Sequence, residues 1–126
     1  MAEEKESLYA SLKRAFHEPN RLAILSQLSG VSEGVIFNDL RDQCGLTDGN
    51  LSRHLKVLEE EGAVVASKFL QNGRARTIVR LTDTGRHAFV AYLGALESVL
   101  RRAESKLAAR GEEAVDSVAG GVQSRA

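Results

Sequence analysis

The stretch "LTDGNLSRHLKVLEEEG", residues 46–62, decides how the rest of the chain is interpreted. Its spacing predicts an amphipathic helix, because at about 100° per residue the leucines of this stretch fall on one side. Thr47 is a suitable N-cap residue, and Arg53 and Lys56 lie on the side opposite the leucines. Packing of the leucines does not require two basic residues on the free side, so that side is a candidate binding surface.

The composition limits the classes of protein to consider. With 126 residues, 43% hydrophobic and 27% charged, the chain is long enough for one domain with a modest core and too short for two ordinary domains. Its 17 basic and 17 acidic residues balance, so an electrostatic argument depends on how the charges are distributed. The single cysteine, Cys44, excludes an internal disulfide bond and a cysteine-based zinc cluster. The start "MAEEKESLYASL" is unlike a secretory signal, and no run approaches the roughly 20 apolar residues of a membrane helix, so we expect a cytoplasmic protein without a membrane partner.

Two helices are predicted in the first quarter of the chain. The first runs from about Glu4 to His17, and its single apolar stripe contains Leu8, Leu12, Ala15 and Phe16. Pro19 predicts the start of the second, because the missing N–H of proline is harmless in the first turn of a helix. Gly30 predicts its end.

A short strand and a third helix are predicted next. The apolar run Val35–Phe37 is expected to form one stub of strand. Asn38 is the expected N-cap of a helix over Asp39–Cys44, and Gly45 is its expected left-handed stop. Only Gly45 and Leu46 then separate this helix from the one predicted in the opening stretch.

A two-stranded β-ribbon is predicted from "VVASKFLQNGRARTIVRLT", residues 64–82. The segment is rich in β-branched residues, and Asn72-Gly73 is the strongest short-range hairpin signal. If these two residues form the turn, one face carries Val64, Ala66, Val79 and Leu81, and the other carries Arg76 and Arg80. The strands contain no acidic residue and four basic ones, which are Lys68, Arg74, Arg76 and Arg80.

The chain is predicted to end with a long helix from Thr82 and a disordered tail. The apolar positions of the helix have the 4-3 spacing of a heptad stripe, formed by Phe89, Leu93, Leu96, Leu100, Ala103 and Leu107. The last residues are small, polar and glycine-containing, with too little apolar surface to offset the entropy lost on ordering. We therefore expect one domain over residues 1–110 and a disordered tail over residues 111–126.

The order of these elements is that of a winged helix-turn-helix. The segment "GLTDGNLSRHLKVLEEEGAVVASKFLQNGRARTIVRLTDTGRHAFVAYLGALE", residues 45–97, resembles winged-helix transcriptional regulators related to the MarR and ArsR families, and "EPNRLAIL", residues 18–25, resembles the start of their second helix. The Leu-x-x-His-Leu-x-x-Leu-Glu helix, the basic wing and the Leu-Thr-x-x-Gly motif occur together and in order, so the resemblance is fairly specific. It covers roughly residues 8 to 107. It implies a mainly α-helical fold with a small antiparallel β-ribbon and with long N- and C-terminal dimerisation helices.

This resemblance implies that the opening helix reads double-stranded DNA. A helix in the major groove contacts bases mainly with residues near its N-terminus, where this helix has small polar residues. The fork of Arg53 matches guanine O6 and N7, and basic ribbon residues suit phosphates or the minor groove. The expected DNA-binding residues are Thr47, Asp48, Gly49, Asn50, Ser52, Arg53, His54, Lys56, Lys68, Arg74 and Arg76.

Other chemistry finds little support in the sequence. His54 borders the leucine stripe, and both a phosphate contact and a half-buried ring bonded to the backbone are open. Cys44 is predicted to be a core thiol. The three histidines are far apart and no close ligand cluster occurs, so we expect no metal and no cofactor. Without a phosphate loop, a nucleophile–base arrangement or paired carboxylates, we expect no enzyme.

The predicted function is a homodimeric transcriptional regulator, with repression as the expected action, that binds a pseudo-palindromic operator. The predicted dimer interface contains Leu8, Leu12, Phe16, Phe89, Leu93, Leu96, Leu100 and Leu107. Packing of the long helix against the first helix of the same chain is the alternative to dimerisation. A winged-helix protein-interaction module is the alternative function, because the fold alone does not dictate its use. The sequence identifies no small-molecule effector.

Overall fold

The computed structural model describes residues 14–111. Residues 14–17 are helical and are followed by the elements α1 (Pro19–Ser29), β1 (Val35–Ile36), α2 (Phe37–Cys44), α3 (Asp48–Glu60), β2 (Val64–Gln71), β3 (Arg74–Leu81) and α4 (Asp83–Ala109). This order confirms the predicted mainly α-helical winged helix-turn-helix. Most of the predicted first helix, with Leu8 and Leu12, and the predicted tail beyond residue 111 lie outside the described residues.

The helix boundaries agree with the sequence except at α2. Pro19 is the first residue of α1, as predicted, and Gly30 is its C-cap. The predicted N-cap of α2, Asn38, is wrong, because the helix begins at Phe37, two residues earlier than predicted, and Ile36 is the N-cap. Ile36 is held in an extended conformation by pairing with β3 and the chain enters α2 directly from this strand, so Asn38 is already helical. Gly45 ends α2 in the left-handed conformation, with a φ of 66°.

The sheet has three antiparallel strands in the order β1-β3-β2, so the predicted ribbon is extended by the short strand β1. Asn72 and Gly73 form the turn between β2 and β3, with φ of 53° and 79°. Positive φ at both positions is the requirement of the two-residue turns that suit a twisted hairpin. The predicted register is confirmed, since Val64 pairs with Leu81 and Ala66 with Val79.

The core of residues 14–90 lies where one side of α3 meets α1, α2 and the sheet. The three leucines of α3 are buried, as the stripe predicts, and the fully buried side chains with them include Ile24, Leu25, Leu28, Leu40 and Val79. At roughly 1.5 to 3 kcal/mol for each large apolar side chain, this burial is the main force that fixes α3 on the domain. The opposite side of α3 remains exposed.

The Leu-Thr-x-x-Gly motif joins the sheet to the start of α4. The Thr82 hydroxyl accepts a hydrogen bond from the Gly85 amide at 2.8 Å and donates to the Gly62 carbonyl at 2.6 Å. A Cβ at Gly85 would lie 2.1 Å from the Ala63 carbonyl oxygen, which is an impossible distance. Gly85 therefore permits the close approach of α4 to the end of α3 and the start of β2.

By contacts, the described chain divides into residues 14–90 and 91–111, and α4 continues from the first unit into the second. In the first unit, Phe16 and Phe89 are buried and their rings meet edge to face, with centroids 5.7 Å apart. Their assignment to the dimer interface is corrected, because these rings pack inside one chain. In the second unit, Leu93 is 44% exposed, and Leu96, Leu100 and Leu107 are half-buried.

Candidate nucleic-acid interface

The N-terminal half of α3 presents a small polar surface. Thr47 caps the helix by accepting a hydrogen bond from the Asn50 amide at 3.1 Å, as its position predicts. The exposed residues of this surface are Thr47, Asp48, Gly49, Asn50, Ser52, Arg53 and Lys56. A Cβ added at Gly49 would meet no described atom within 4 Å. The surface is therefore open, and its smallest residue lies near the helix start.

The guanidinium of Arg53 is oriented by its own helix. Its Nη2 donates to Asn50 Oδ1 at 3.1 Å, across one turn. Both side chains are exposed, so water competes for this hydrogen bond and its contribution to stability is small. Its effect is to direct the guanidinium towards the N-terminal end of α3, where a major-groove helix contacts bases.

Arg41, which the sequence interpretation did not single out, links the two helices of the helix-turn-helix. Its Nη1 is 2.8 Å from Asp48 Oδ1, and its Nε is 2.9 Å from Asp42 Oδ1. These hydrogen bonds, first that to Asp42 and then that to Asp48, raise the pKa of Arg41. Asp48 was predicted to contact DNA, and the structure pairs its carboxylate with the guanidinium of Arg41, which offsets its negative charge.

The basic residues of the hairpin differ in exposure. Lys68, Arg74 and Arg80 are exposed, whereas Arg76 is half-buried. Among the described residues, Arg76 Nε is the one buried side-chain polar atom without a hydrogen-bond partner. Arg76 borders a cavity of about 150 Å³, together with Ile36, Phe37, Asn38, Ala75 and Thr77. Arg74 is therefore the better position for testing the effect of wing charge on binding, since replacing Arg76 would also change the packing around it.

His54 is not part of the open surface. It is 5% exposed, and its Nδ1 lies 3.3 Å from Arg21 Nη1 and 3.7 Å from Glu18 Oε1. The inclusion of His54 among the DNA contacts is therefore corrected. Neither alternative considered from the sequence describes it, because its partners are side chains at the start of α1. The Glu-Pro-Asn-Arg order around the start of α1 was the available signal, since it places an acid and a base one turn apart.

Other candidate sites are limited. Cys44 is half-buried, and burial raises the pKa of its thiol, which agrees with a packing role. Within residues 14–111, no three histidine, cysteine, aspartate or glutamate side chains are grouped as metal ligands would be. No helix in the same part of the chain has the length and apolar character needed to cross a membrane.

Comparison with protein families identifies this arrangement. The family described as winged helix DNA-binding domain matches residues 20–100, more than half of the chain. The chain belongs to this family. In the order of a winged-helix domain, α3 has the position called the recognition helix and the β2–β3 hairpin has the position called the wing.

Three known proteins are similar to this chain in sequence or in structure. An uncharacterized protein of Methanocaldococcus jannaschii is 44% identical over 80 residues, which are 64% of this chain and 86% of that protein. The structure of a transcriptional regulator homologue from Pyrococcus horikoshii is similar with a TM-score of 0.69 and 30% identity, over 81% of this chain and 98% of that one. The MepR–DNA complex of Staphylococcus aureus is similar in fold, with a TM-score of 0.57 and 19% identity over 86% of this chain and 90% of that one. The predicted resemblance to winged-helix transcriptional regulators is confirmed.

Proposed function

We propose that this winged-helix protein is a DNA-binding transcriptional regulator, with repression as its action, and that it binds a pseudo-palindromic operator as a homodimer. The recognition helix α3 enters the major groove and the wing contacts the flanking backbone. The single observation that carries the proposal is the two-sided character of α3, with buried leucines on one side and an open polar surface on the other. Because its partner is genomic DNA, we propose the cytoplasm as its location.

The charges of the two elements support this proposal. In the recognition helix, Arg53 and Lys56 are exposed, and Asp48 is paired with Arg41. In the wing, the exposed Lys68 and Arg74 have no acidic neighbour within the two strands. In a chain with zero formal net charge, this distribution concentrates positive charge where a polyanion would be bound.

A dimer would place two recognition helices on one duplex. The leucines of residues 91–111 keep the heptad spacing and are only partly buried in the single chain. An apolar stripe of this kind is typical of helices that pair, and pairing would remove it from water. With two recognition helices about 34 Å apart, the protein would contact successive major grooves on one side of the DNA. Leu93, Leu96, Leu100 and Leu107 remain the proposed dimer contacts.

The proposal is tested by comparing Arg53→Ala with Lys56→Ala. An operator is first selected from genomic fragments retained by the purified protein, and both variants are titrated against it and against single-base mismatches at fixed salt. We expect Arg53→Ala to lose about 1 to 3 kcal/mol per half-site and to lose discrimination at one base pair, because a bidentate contact to guanine would be removed. We expect Lys56→Ala to weaken all sequences by similar factors, as a phosphate contact would.

Two outcomes would count against this assignment. If Arg53→Ala retains the wild-type affinity and mismatch profile, Arg53 does not read a base. If no genomic fragment is retained and the wild-type protein shows no salt-sensitive affinity for DNA, the DNA-binding function itself is wrong. A protein-interaction role for the exposed side of α3 would then be favoured.

A further inference from the structure

One group of charged and polar side chains, in which His54 is buried and Glu18 and Arg21 are half-buried, has no part in the DNA-contacting surface. His54, on the recognition helix, approaches Arg21 and Glu18 at the start of α1. Arg21 Nε also donates to the carbonyl oxygen of Ala15, in the helical residues that precede α1. Glu18 caps α1 by accepting from the Arg21 amide at 2.9 Å. Three segments are thus joined through side chains beneath the recognition helix.

The geometry indicates which form of His54 is bound. A guanidinium nitrogen can only donate, so a hydrogen bond across the 3.3 Å between Arg21 Nη1 and His54 Nδ1 requires a lone pair on Nδ1 and a neutral ring with its proton on Nε2. The nearer oxygen of Glu18 is 3.7 Å from Nδ1, beyond hydrogen-bonding distance, and already accepts from the Arg21 amide. The neutral ring is therefore the form that the observed arrangement accommodates.

We propose that His54 is a positioning residue, which in its neutral form fixes the recognition helix on α1 through Arg21 and on protonation displaces Arg53 and weakens DNA binding. This inference rests on the proposed DNA-binding function. His54 does not touch DNA. It acts through Arg53, the preceding residue of α3, whose exposed guanidinium belongs to the proposed reading surface.

Protonation of His54 would weaken its interaction with Arg21 and strengthen its attraction to Glu18. The proton added at Nδ1 removes the acceptor for Arg21 Nη1 and directs an N–H towards Glu18. Among the described residues, Glu18 before α1 and Arg21 on α1 face His54, and the charge of Arg53 on α3 acts on it from the exposed side of the helix. Two of the three are cations, so the protonated ring must move away from Arg21 and towards Glu18. Because His54 is 5% exposed and has little room to rotate alone, we expect this movement to shift the start of α3 as well.

The sign of the pH dependence follows from the same groups. Burial lowers the pKa of His54, Glu18 acts against this effect, and Arg21 and Arg53 act with it. With a folded-state pKa below the usual 6.5, the stability contributed by neutral His54 is fully present above about pH 6.5 and is lost as the pH falls towards the lowered value. Operator affinity is expected to fall as the pH drops through the lowered folded-state pKa of His54, because the ring of the folded protein is protonated only there.

This direction is opposite to that of ordinary electrostatics. Acidification makes any protein more positive, so affinity for a polyanion would otherwise rise as the pH falls. A histidine that merely added charge near DNA would strengthen binding in acid. A fall in affinity therefore distinguishes a positioning role from a simple charge effect.

The experiment measures operator affinity by fluorescence anisotropy between about pH 8 and about pH 5 at constant ionic strength. For the wild type we expect a loss of about three- to thirtyfold, within the limit of about tenfold per pH unit for each protonated site. His54→Asn places an amide oxygen near the position of Nδ1, so it can accept from Arg21 without titrating. We expect this variant to bind like the wild type near neutral pH and to show no loss in acid.

Two further variants complete the design. His87→Gln removes an exposed histidine of α4 and should leave the wild-type pH profile unchanged. Glu18→Gln keeps an acceptor for the Arg21 amide but removes the charge that attracts protonated His54, so the midpoint should move to lower pH. A wild-type affinity that is constant or rises in acid overturns the proposal, as does a His54→Asn profile parallel to that of the wild type. If circular dichroism shows that His54→Asn is unfolded, Glu18→Gln decides, and an unchanged midpoint overturns the proposal.

A DNA-free measurement separates this inference from the proposed function. In the wild type, the backbone amide of Arg53 should shift in nuclear magnetic resonance spectra with the same midpoint as the His54 ring. Amides of α3 that do not follow this titration overturn the positioning role even if DNA is bound. If they follow it and no DNA binds at any pH, the DNA-binding function is wrong, and the coupling between His54 and α3 stands without it.

Discussion

Replacing Gly49 with alanine adds one methyl group, which we expect to raise the stability of the free protein and to lower its affinity for DNA. It is the second residue of α3, is exposed, and has no described atom within 4 Å of an added Cβ. Gly49→Ala therefore introduces no clash in the free protein. If the start of α3 lies against DNA, the same methyl group occupies space that a base edge or a sugar requires.

The two effects have different sizes. In the free protein, alanine should stabilise the helix by up to about 0.5 to 1 kcal/mol, because it loses less backbone entropy than glycine. The position is in the first turn, so we expect the lower end of this range and a rise in Tm of about 2 to 4 °C. On DNA, a methyl group forced into a close contact typically costs about 1 to 3 kcal/mol, once for each half-site of a dimer.

The assay combines thermal unfolding with anisotropy titration of the selected operator at fixed salt. Gly94→Ala is the matched control, because Gly94 is also an exposed helical glycine with no described atom within 4 Å of an added Cβ. It should raise stability and leave affinity unchanged. If Gly49→Ala raises stability and binds the operator as tightly as the wild type, the start of α3 does not approach DNA closely, and the proposed docking is wrong.

Three other variants test the fold, the wing and the assembly. Gly85→Ala should lower the free energy of unfolding by more than about 2 kcal/mol in chemical denaturation, because its methyl group would collide with a backbone carbonyl; a loss below about 0.5 kcal/mol would contradict the close approach. Arg74→Ala should weaken binding to all sequences and reduce the salt slope by roughly 1 per subunit, and an unchanged slope would show that the wing tip makes no phosphate contact. Leu96→Glu combined with Leu100→Glu should dissociate the dimer in light scattering, and a monomeric wild type at micromolar concentration would refute dimerisation.

Local signals in the sequence were sufficient for most of the secondary structure. The turn at Asn72-Gly73 fixes the hairpin register because each side-chain pair follows from the positions of the two turn residues. Pro19 and Thr47 identify helix starts through properties of single residues. The leucine spacing of α3 identifies the buried side of that helix, and therefore its open side, without any knowledge of what covers it.

The sequence-based predictions were wrong where contacts between distant parts of the chain determine the local structure or the packing. Asn38 is a suitable N-cap residue type, but the pairing of β1 with β3 holds Ile36 extended, and α2 starts directly after it at Phe37. Phe16 and Phe89 continue apolar stripes that suit a dimer, yet the two rings meet each other within one chain. Spacing along a helix shows that a side is apolar, but it does not show whether the covering surface belongs to the same chain.

His54 and Arg53 show why the candidate site was only partly predictable. They are consecutive residues, and a rotation of about 100° places one inside the domain and the other on the open surface. Helical geometry assigns Arg53 to the open side because this residue lies opposite the leucines. His54 lies at the border, where its environment depends on Arg21 and Glu18, which precede it by 33 and 36 residues. The helical period of the sequence was therefore enough to predict the residues proposed to read DNA. The residues proposed to hold α3 in place could be identified only from the structure, because their contacts depend on how α1 packs against α3.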